Sequence, residues 1–174
     1  MGPKWIFKKK LNENGEIIKK KSILFFKGYS QVEGIYFKDT FAPVERLEAI
    51  RMFLAFACFR NFKIYHMDVK SAFLNGTLEE VHVEQREGFM LTESQDYVCK
   101  LKKALYGLKQ APRAWFSRLD QYLQKQVYKR GTNENNLYIK IEDQNMIVVV
   151  VYVDDIIFGS NITTLRRNQN ARRI

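Results

Sequence analysis

The stretch Val148-Val149-Val150-Val151-Tyr152-Val153-Asp154-Asp155-Ile156-Ile157-Phe158 decides how this chain folds. Its β-branched residues favour extended backbone, and an apolar run of this length between turn signals reads as a core strand. Two adjacent carboxylates interrupt it, and both cannot enter an apolar core without a large desolvation penalty. Asp154 and Asp155 are therefore expected at a tight hairpin between two core strands, at the edge of a sheet. Their mutual repulsion there favours a divalent cation beside them. An earlier apolar strand, Tyr65-His66-Met67-Asp68-Val69, is broken by a third acid. If the two strands are neighbours, Asp68, Asp154 and Asp155 converge into an all-oxygen site suited to Mg²⁺. Such a site holds two ions about 4 Å apart around an in-line phosphoryl displacement. The plain alternative is a polar hairpin tip, against which the β-branched residues on both sides weigh.

Outward from this stretch, Leu137 to Ile141 and Met146 to Val153 read as strands around Asp143-Gln144-Asn145, and Gly159 is expected to end the strand Ile156-Ile157-Phe158. Trp5-Ile6-Phe7 and Ile17-Ile18 flank an Asn-Gly turn, which predicts a basic hairpin, and Ile23 to Phe26 extends its second strand or starts another. Helical spacing of Leu47, Ile50, Leu54, Ala57 and Cys58, widened by Met52, Phe53 and Phe56, predicts a largely buried helix from Arg46 to about Asn61. Phe62 to Val69, Val81 to Val83 and Tyr97 to Cys99 read as strands, and Pro112 suits the first turn of a helix through Trp115, Leu119, Tyr122 and Leu123. Strands and helices mixed without βαβ regularity predict an α+β fold, an antiparallel sheet with packed helices.

The 174 residues, 46% hydrophobic and 14% aromatic, suffice for a core, which excludes disorder of the whole. The longest apolar run, Met146 to Val153, is too short to span a membrane, and no signal peptide is read at the start. Cys58 and Cys99 lack metal-ligand spacing and suggest a reducing compartment without a disulfide framework, which leaves the location inside a cell, cytoplasmic or nuclear, unknown. His66 and His82 are expected near the surface and not as ligands, since the site prefers oxygen. Of a net charge of +10, the ends carry everything. Residues 1–28 hold eight lysines against two acids, and the tail holds Arg166, Arg167, Arg172 and Arg173 without an acid. Lys100, Lys102, Lys103, Lys109 and Arg113 form a further acid-free block. Separated basic blocks suit a polyanion, because each phosphate contact releases counterions; for the tail a solvated end is the simpler reading.

Tyr152-Val153-Asp154-Asp155 resembles the Tyr-x-Asp-Asp signature of reverse transcriptases, and Met67-Asp68-Val69-Lys70-Ser71-Ala72-Phe73-Leu74-Asn75-Gly76 resembles the first catalytic motif of Ty1/copia-type LTR retrotransposons. So do Lys27-Gly28-Tyr29-Ser30-Gln31, Thr40-Phe41-Ala42-Pro43-Val44 and Leu105-Tyr106-Gly107-Leu108-Lys109-Gln110-Ala111-Pro112-Arg113-Ala114-Trp115. The resemblance implies a right-hand polymerase, fingers and partial palm over residues 1–165, followed by an out-of-pattern basic tail over 166–174. It implies RNA-directed DNA polymerase activity with Asp68, Asp154 and Asp155 as catalytic acids. Together with the Val69 carbonyl these would hold two Mg²⁺ or Mn²⁺ ions. Lys27, Ser71, Ala72, Phe73 and Tyr106 would contact the deoxynucleoside triphosphate, with Phe73 under the sugar as a barrier to a 2′-hydroxyl; Phe73 otherwise reads as a core aromatic. Lys109, Gln110, Arg113 and Tyr152 would lie along the RNA template and DNA primer. The implied setting is a larger polyprotein with integrase and RNase H, and no membrane partner.

Departures from the pattern accompany the matches. Ile23 stands where the family usually has an arginine, and an aliphatic chain cannot make that residue's bidentate contact with a triphosphate. Tyr36, Glu45 and Arg86 replace the usual Asp, Ala and Pro, and Glu79-Glu80-Val81 is one residue short, which predicts a shifted strand register. Because residues soon after Phe158-Gly159-Ser160 leave the family pattern, the resemblance leads to the expectation of a truncated copy, a fragment without the remaining palm, thumb or RNase H. A non-catalytic nucleic-acid-binding remnant is the second reading, and another two-metal phosphotransferase such as a nuclease is the third.

Overall fold

The computed structural model describes residues 2–44, 46–85, 88 and 97–162. The tail over 166–174 and the departures at Glu45 and Arg86 lie outside the described residues. Strands β1 (Pro3–Leu11) and β2 (Ile17–Phe26) form the basic hairpin. A 3-10 turn (Gly28–Ser30) and a loop lead to helix α1 (Leu47–Phe59) and strand β3 (Lys63–Asp68). A second 3-10 turn (Ala72–Asn75) precedes β4 (Thr77–Glu84) and β5 (Val98–Lys103). Helix α2 (Ala111–Lys125) has Pro112 in its first turn, where a missing N–H costs nothing. Then come β6 (Lys129–Arg130), β7 (Leu137–Glu142), β8 (Asn145–Tyr152) and β9 (Asp155–Ser160). Two residues are too few to show a pattern, so β6 is defined only by its pairing to Ile139 and Tyr138.

The central sheet has five strands in the order β3-β9-β8-β7-β6, and every named strand pair is antiparallel. The valine run lies on β8, inside this sheet. Val149 and Val151 pack with Trp115, Leu119 and Leu123 of α2, while Val148 and Val150 pack with Phe53 and Ala57 of α1. Coverage of both faces explains the absence of polar alternation. A smaller core joins Phe26 at the root of the first hairpin to Val81, Val83, Ala104, Leu108 and Ala111. Phe73 packs against both this cluster and the α2 face. The β4–β5 ladder is irregular between Thr77 and Val81, where the short Glu79-Glu80-Val81 stretch predicts a shift.

Two expectations are corrected. Helix α1 is not largely buried: Phe53 and Ala57 are covered, but Met52 is 71% exposed and Phe59 83%. A straight helix meets a sheet along one line, so a stripe wider than that line remains in solvent. Gly159 does not end its strand either, since β9 runs to Ser160. A side chain at Gly159 would meet Phe53 at 3.0 Å and Phe62 at 3.4 Å, so this glycine lets α1 approach the sheet. Among the described residues, no helix is long and apolar enough to cross a membrane.

Candidate active site

Val153 and Asp154 alone connect β8 to β9, because Tyr152 pairs directly with Asp155. Val153 has φ +55°. Positive φ at the first position of a two-residue hairpin loop is the type II′ pattern that glycine normally fills. A β-branched residue held there stores roughly 1–3 kcal/mol of strain. Two hydrogen bonds hold it: the Trp115 Nε1–H donates to the Val153 carbonyl at 2.7 Å, and the Val69 amide donates to the Asp154 carbonyl at 2.8 Å. Trp115 is buried, so α2 fastens this turn from below. Beside it lies a cavity of about 290 Å³, walled by Val153, Trp115, Phe116, Pro112 and the Ala42-Pro43-Val44 loop.

The three acids come together through strand pairing. β3 lies at the sheet edge beside β9, and its register sets Asp68 opposite Asp155. Residues opposed in an antiparallel pair share a face, so Tyr152, Asp155 and Asp68 stand in a row, with His66 on the same side. The Val69–Asp154 bond closes the group. The Asp155 carboxylate is turned to His66, whose Nε2 lies 2.8 Å from Oδ1. Among the described residues, no three His, Cys, Asp or Glu side chains are gathered as a ready-made cation cage. The donor set nevertheless fits a hard divalent cation: three carboxylates and a backbone oxygen at an exposed sheet end, with no thiolate among them.

Beyond Val69, Ser71 adopts φ +56° and Ala72 is buried at the start of the 3-10 turn. The turn sets Phe73 half-buried, its ring 5.1 Å from that of Tyr106. The Tyr106 phenol is pushed above its ordinary range, first by burial and then by the charges of Asp154 and Asp68. That tyrosine therefore lies within the electrostatic reach of both acids. It also anchors the first hairpin, because the Phe26 amide donates to its carbonyl at 2.8 Å. Gly28 and Gly107 meet there backbone to backbone; a Cβ on Gly28 would collide with the Gly107 carbonyl.

The Lys109–Arg113 block is occupied with the loop that follows the first hairpin. Buried Gln31 accepts from the Lys109 amide at 2.9 Å and donates to Gln110 Oε1 at 3.0 Å. Lys109 Nζ donates to the Gln31 carbonyl at 3.1 Å and sits over the Phe37 ring. Gln110, only 7% exposed, also donates to the Tyr36 carbonyl. Arg113 pairs with Asp39. The Asp39 carboxyl is held below its usual range, first by the Phe41 amide and also by Arg113. Lys27 is exposed at the end of β2, Tyr152 is 42% exposed beside the acids, and Ile23 is half-buried opposite Ile6.

The profile of the reverse transcriptase (RNA-dependent DNA polymerase) family matches residues 1–171. The chain belongs to the reverse transcriptase family. It is 41% identical over 169 residues to the retrovirus-related Pol polyprotein from transposon RE2 of Arabidopsis thaliana, covering 97% of this chain and 12% of that polyprotein. The corresponding RE1 polyprotein of the same plant matches with the same identity and coverage. The TNT 1-94 polyprotein of Nicotiana tabacum is 39% identical over 156 residues, 88% of this chain and 12% of its own length. These relatives place it in the Ty1/copia type. The chain spans about an eighth of the length of these polyproteins. No solved structure matches it.

Three residues of this reverse transcriptase region do more than the sequence indicates. Trp115 reads as one more core position of α2, yet its indole N–H sets the acid-bearing turn. His66 reads as a surface histidine, and it holds Asp155. Gln31 sits in a polar loop, yet it is 3% exposed and joins that loop to the start of α2. Each role depends on a partner far along the chain, which local pattern does not reveal.

Proposed function

We propose that this chain carries the fingers and partial palm of an RNA-directed DNA polymerase, with Asp68, Asp154 and Asp155 as its catalytic acids. The observation that supports it most is the strand register opposing Asp68 to Asp155, with Val69 bonded to Asp154. Two Mg²⁺ or Mn²⁺ ions held by these acids and the Val69 carbonyl would activate a primer 3′-hydroxyl and neutralise the triphosphate of a deoxynucleotide. The remaining work falls to the chain itself. The rigid β8–β9 turn keeps the carboxylates at fixed separation. Phe73, packed beside Tyr106 and preceded by Ser71 and Ala72, forms the floor for the deoxyribose and leaves no room for a 2′-hydroxyl. Lys27 meets the triphosphate from the hairpin root, where Ile23 supplies no guanidinium. Lys109, Gln110 and Arg113 shape the template side by holding the 31–39 loop, and Tyr152 borders the primer terminus.

The test is extension of a DNA primer on an RNA template with Mg²⁺, in wild type and Asp154→Asn. Extension lost by about a thousandfold in the variant is expected, since a metal clamp contributes several kcal/mol to the transition state. Strand cleavage without nucleotides would replace this reading with a nuclease. Nucleic-acid binding without extension, unchanged in Asp154→Asn, would replace it with a non-catalytic binding remnant. The eight lysines within residues 1–28 favour that second reading.

A further inference from the structure

His66 stands on the edge strand β3 opposite Ile157, and the same register sets Asp68 opposite Asp155. Alternation therefore puts His66, Asp68 and Asp155 on one face of the sheet. The imidazole reaches diagonally across the two strands, its Nε2 2.8 Å from Asp155 Oδ1. Diagonal neighbours on one face of an antiparallel pair lie about 7–8 Å apart, within reach of a ring of this length. An ionised carboxylate only accepts, so the proton of this bond sits on Nε2 whether the ring is neutral or charged. His66 donates, and Asp155 Oδ1 accepts. Among the described residues, Asp155 Oδ2 has no hydrogen-bond partner, and no side chain holds the carboxylate of Asp68 or Asp154. The two side chains are 63% and 42% exposed, so their pairing contributes little to folding. A contact of small worth to stability, made to one oxygen of one acid out of three, points to a task in the site itself.

We infer that His66 is a positioning residue: its Nε2–H fixes the rotation of the Asp155 carboxylate and reserves Oδ1, so that Asp155 meets a divalent cation through Oδ2 alone. A carboxylate already oriented loses less rotational freedom when it binds a cation. Removing such an outer partner typically costs about 10–100-fold in metal affinity or activity. The inference deepens the polymerase reading and rests on it for the role of the three acids. It gives them unequal parts: Asp68 and Asp154 keep both oxygens for cations, and Asp155 keeps one.

The full 174-residue chain is titrated with Mn²⁺ alone, without nucleic acid, and the bound ion is read by electron paramagnetic resonance. His66→Ala should weaken Mn²⁺ binding about tenfold and leave the urea midpoint unchanged. His66→Gln should return affinity to within about threefold of wild type, because its amide N–H reaches the same oxygen. His66→Phe, a ring without a donor, should bind as weakly as His66→Ala. In an Asp155→Ala background, His66→Ala should change nothing further, because its whole effect runs through that carboxylate. Additive losses in the double variant, equal binding by the Gln and Phe variants, or no Mn²⁺ bound by wild type would overturn the inference. So would tighter binding by His66→Ala, since the histidine would then compete with the cation for Oδ1. Primer extension is assayed separately. Mn²⁺ binding coupled to His66 without extension by wild type removes the polymerase reading and leaves this inference standing; extension without that coupling does the reverse.

Discussion

At the β8–β9 turn, carboxylates ride on strands whose neighbouring residues are buried between two helices; in the outer β1–β2 hairpin, lysines ride on a ribbon with solvent on both faces. Both regions concentrate charge of one sign on a hairpin. In the first, backbone position is over-determined by the valine core, the Trp115 bond and the Val69 bond, so the turn tolerates a strained Val153 and three acids near one another. In the second, among the described residues, the lysines form no ion pair and the strand ladder opposes their repulsion. Charge set on buried strands keeps one geometry, whereas charge on an exposed ribbon keeps only the geometry its ladder imposes.

The contrast breaks most visibly at Trp115. Trp115→Ala removes the packing beneath the turn together with its hydrogen bond and should cost about 3–5 kcal/mol, measured by urea unfolding. Trp115→Phe keeps most of the packing and should cost about 1–2 kcal/mol, the share of the bond to Val153. If the two variants unfold alike, the bond does not anchor the turn. Tyr138 tests the core beneath in another way. It is fully buried and donates to Asp120 at 2.8 Å. Burial first, then that bond, pushes its phenol above the ordinary value of 10.0. A raised folded-state value means the folded chain keeps its proton when the unfolded chain releases it. This contribution is therefore complete below about pH 10 and is lost as pH rises further. Tyr138→Phe should cost about 1–2 kcal/mol at neutral pH and flatten the alkaline decline.

Phe73→Ala should raise the use of ribonucleotides relative to deoxynucleotides by about tenfold in primer extension, with stability falling about 2–4 kcal/mol because the ring also bridges two cores. Unchanged sugar selectivity would leave Phe73 a packing residue only. The smallest effect belongs to the ribbon: Lys20→Glu replaces a repelling pair by an attracting one and should stabilise the hairpin by about 0.2–1 kcal/mol, seen in amide exchange.

Much of this was legible in the residues themselves. The β-branched run around Asp154-Asp155 marked two core strands and the turn between them, Asn12 to Gly15 marked the basic hairpin, and Pro112 marked the start of α2. Local backbone preference and short-range periodicity carry that information. The burial of α1 was misread because periodicity measures how wide an apolar stripe is and not how much of it a partner covers. Gly159 was misread as a stop because a glycine that admits a neighbouring ring looks the same in sequence as one that breaks a strand.

The sequence by itself determined both helices and every strand but β6, which acids interrupt apolar runs, and that the lysines cluster at the amino end, since these follow from side-chain chemistry and chain-local geometry. Only the tertiary structure decided that β3 pairs with β9, so that Asp68 meets Asp155, that His66 takes the Asp155 carboxylate, and that Trp115 and Gln31 fasten the elements around them. Those outcomes depend on contacts between residues tens of positions apart, chosen by how whole faces bury together, and no local pattern encodes that choice.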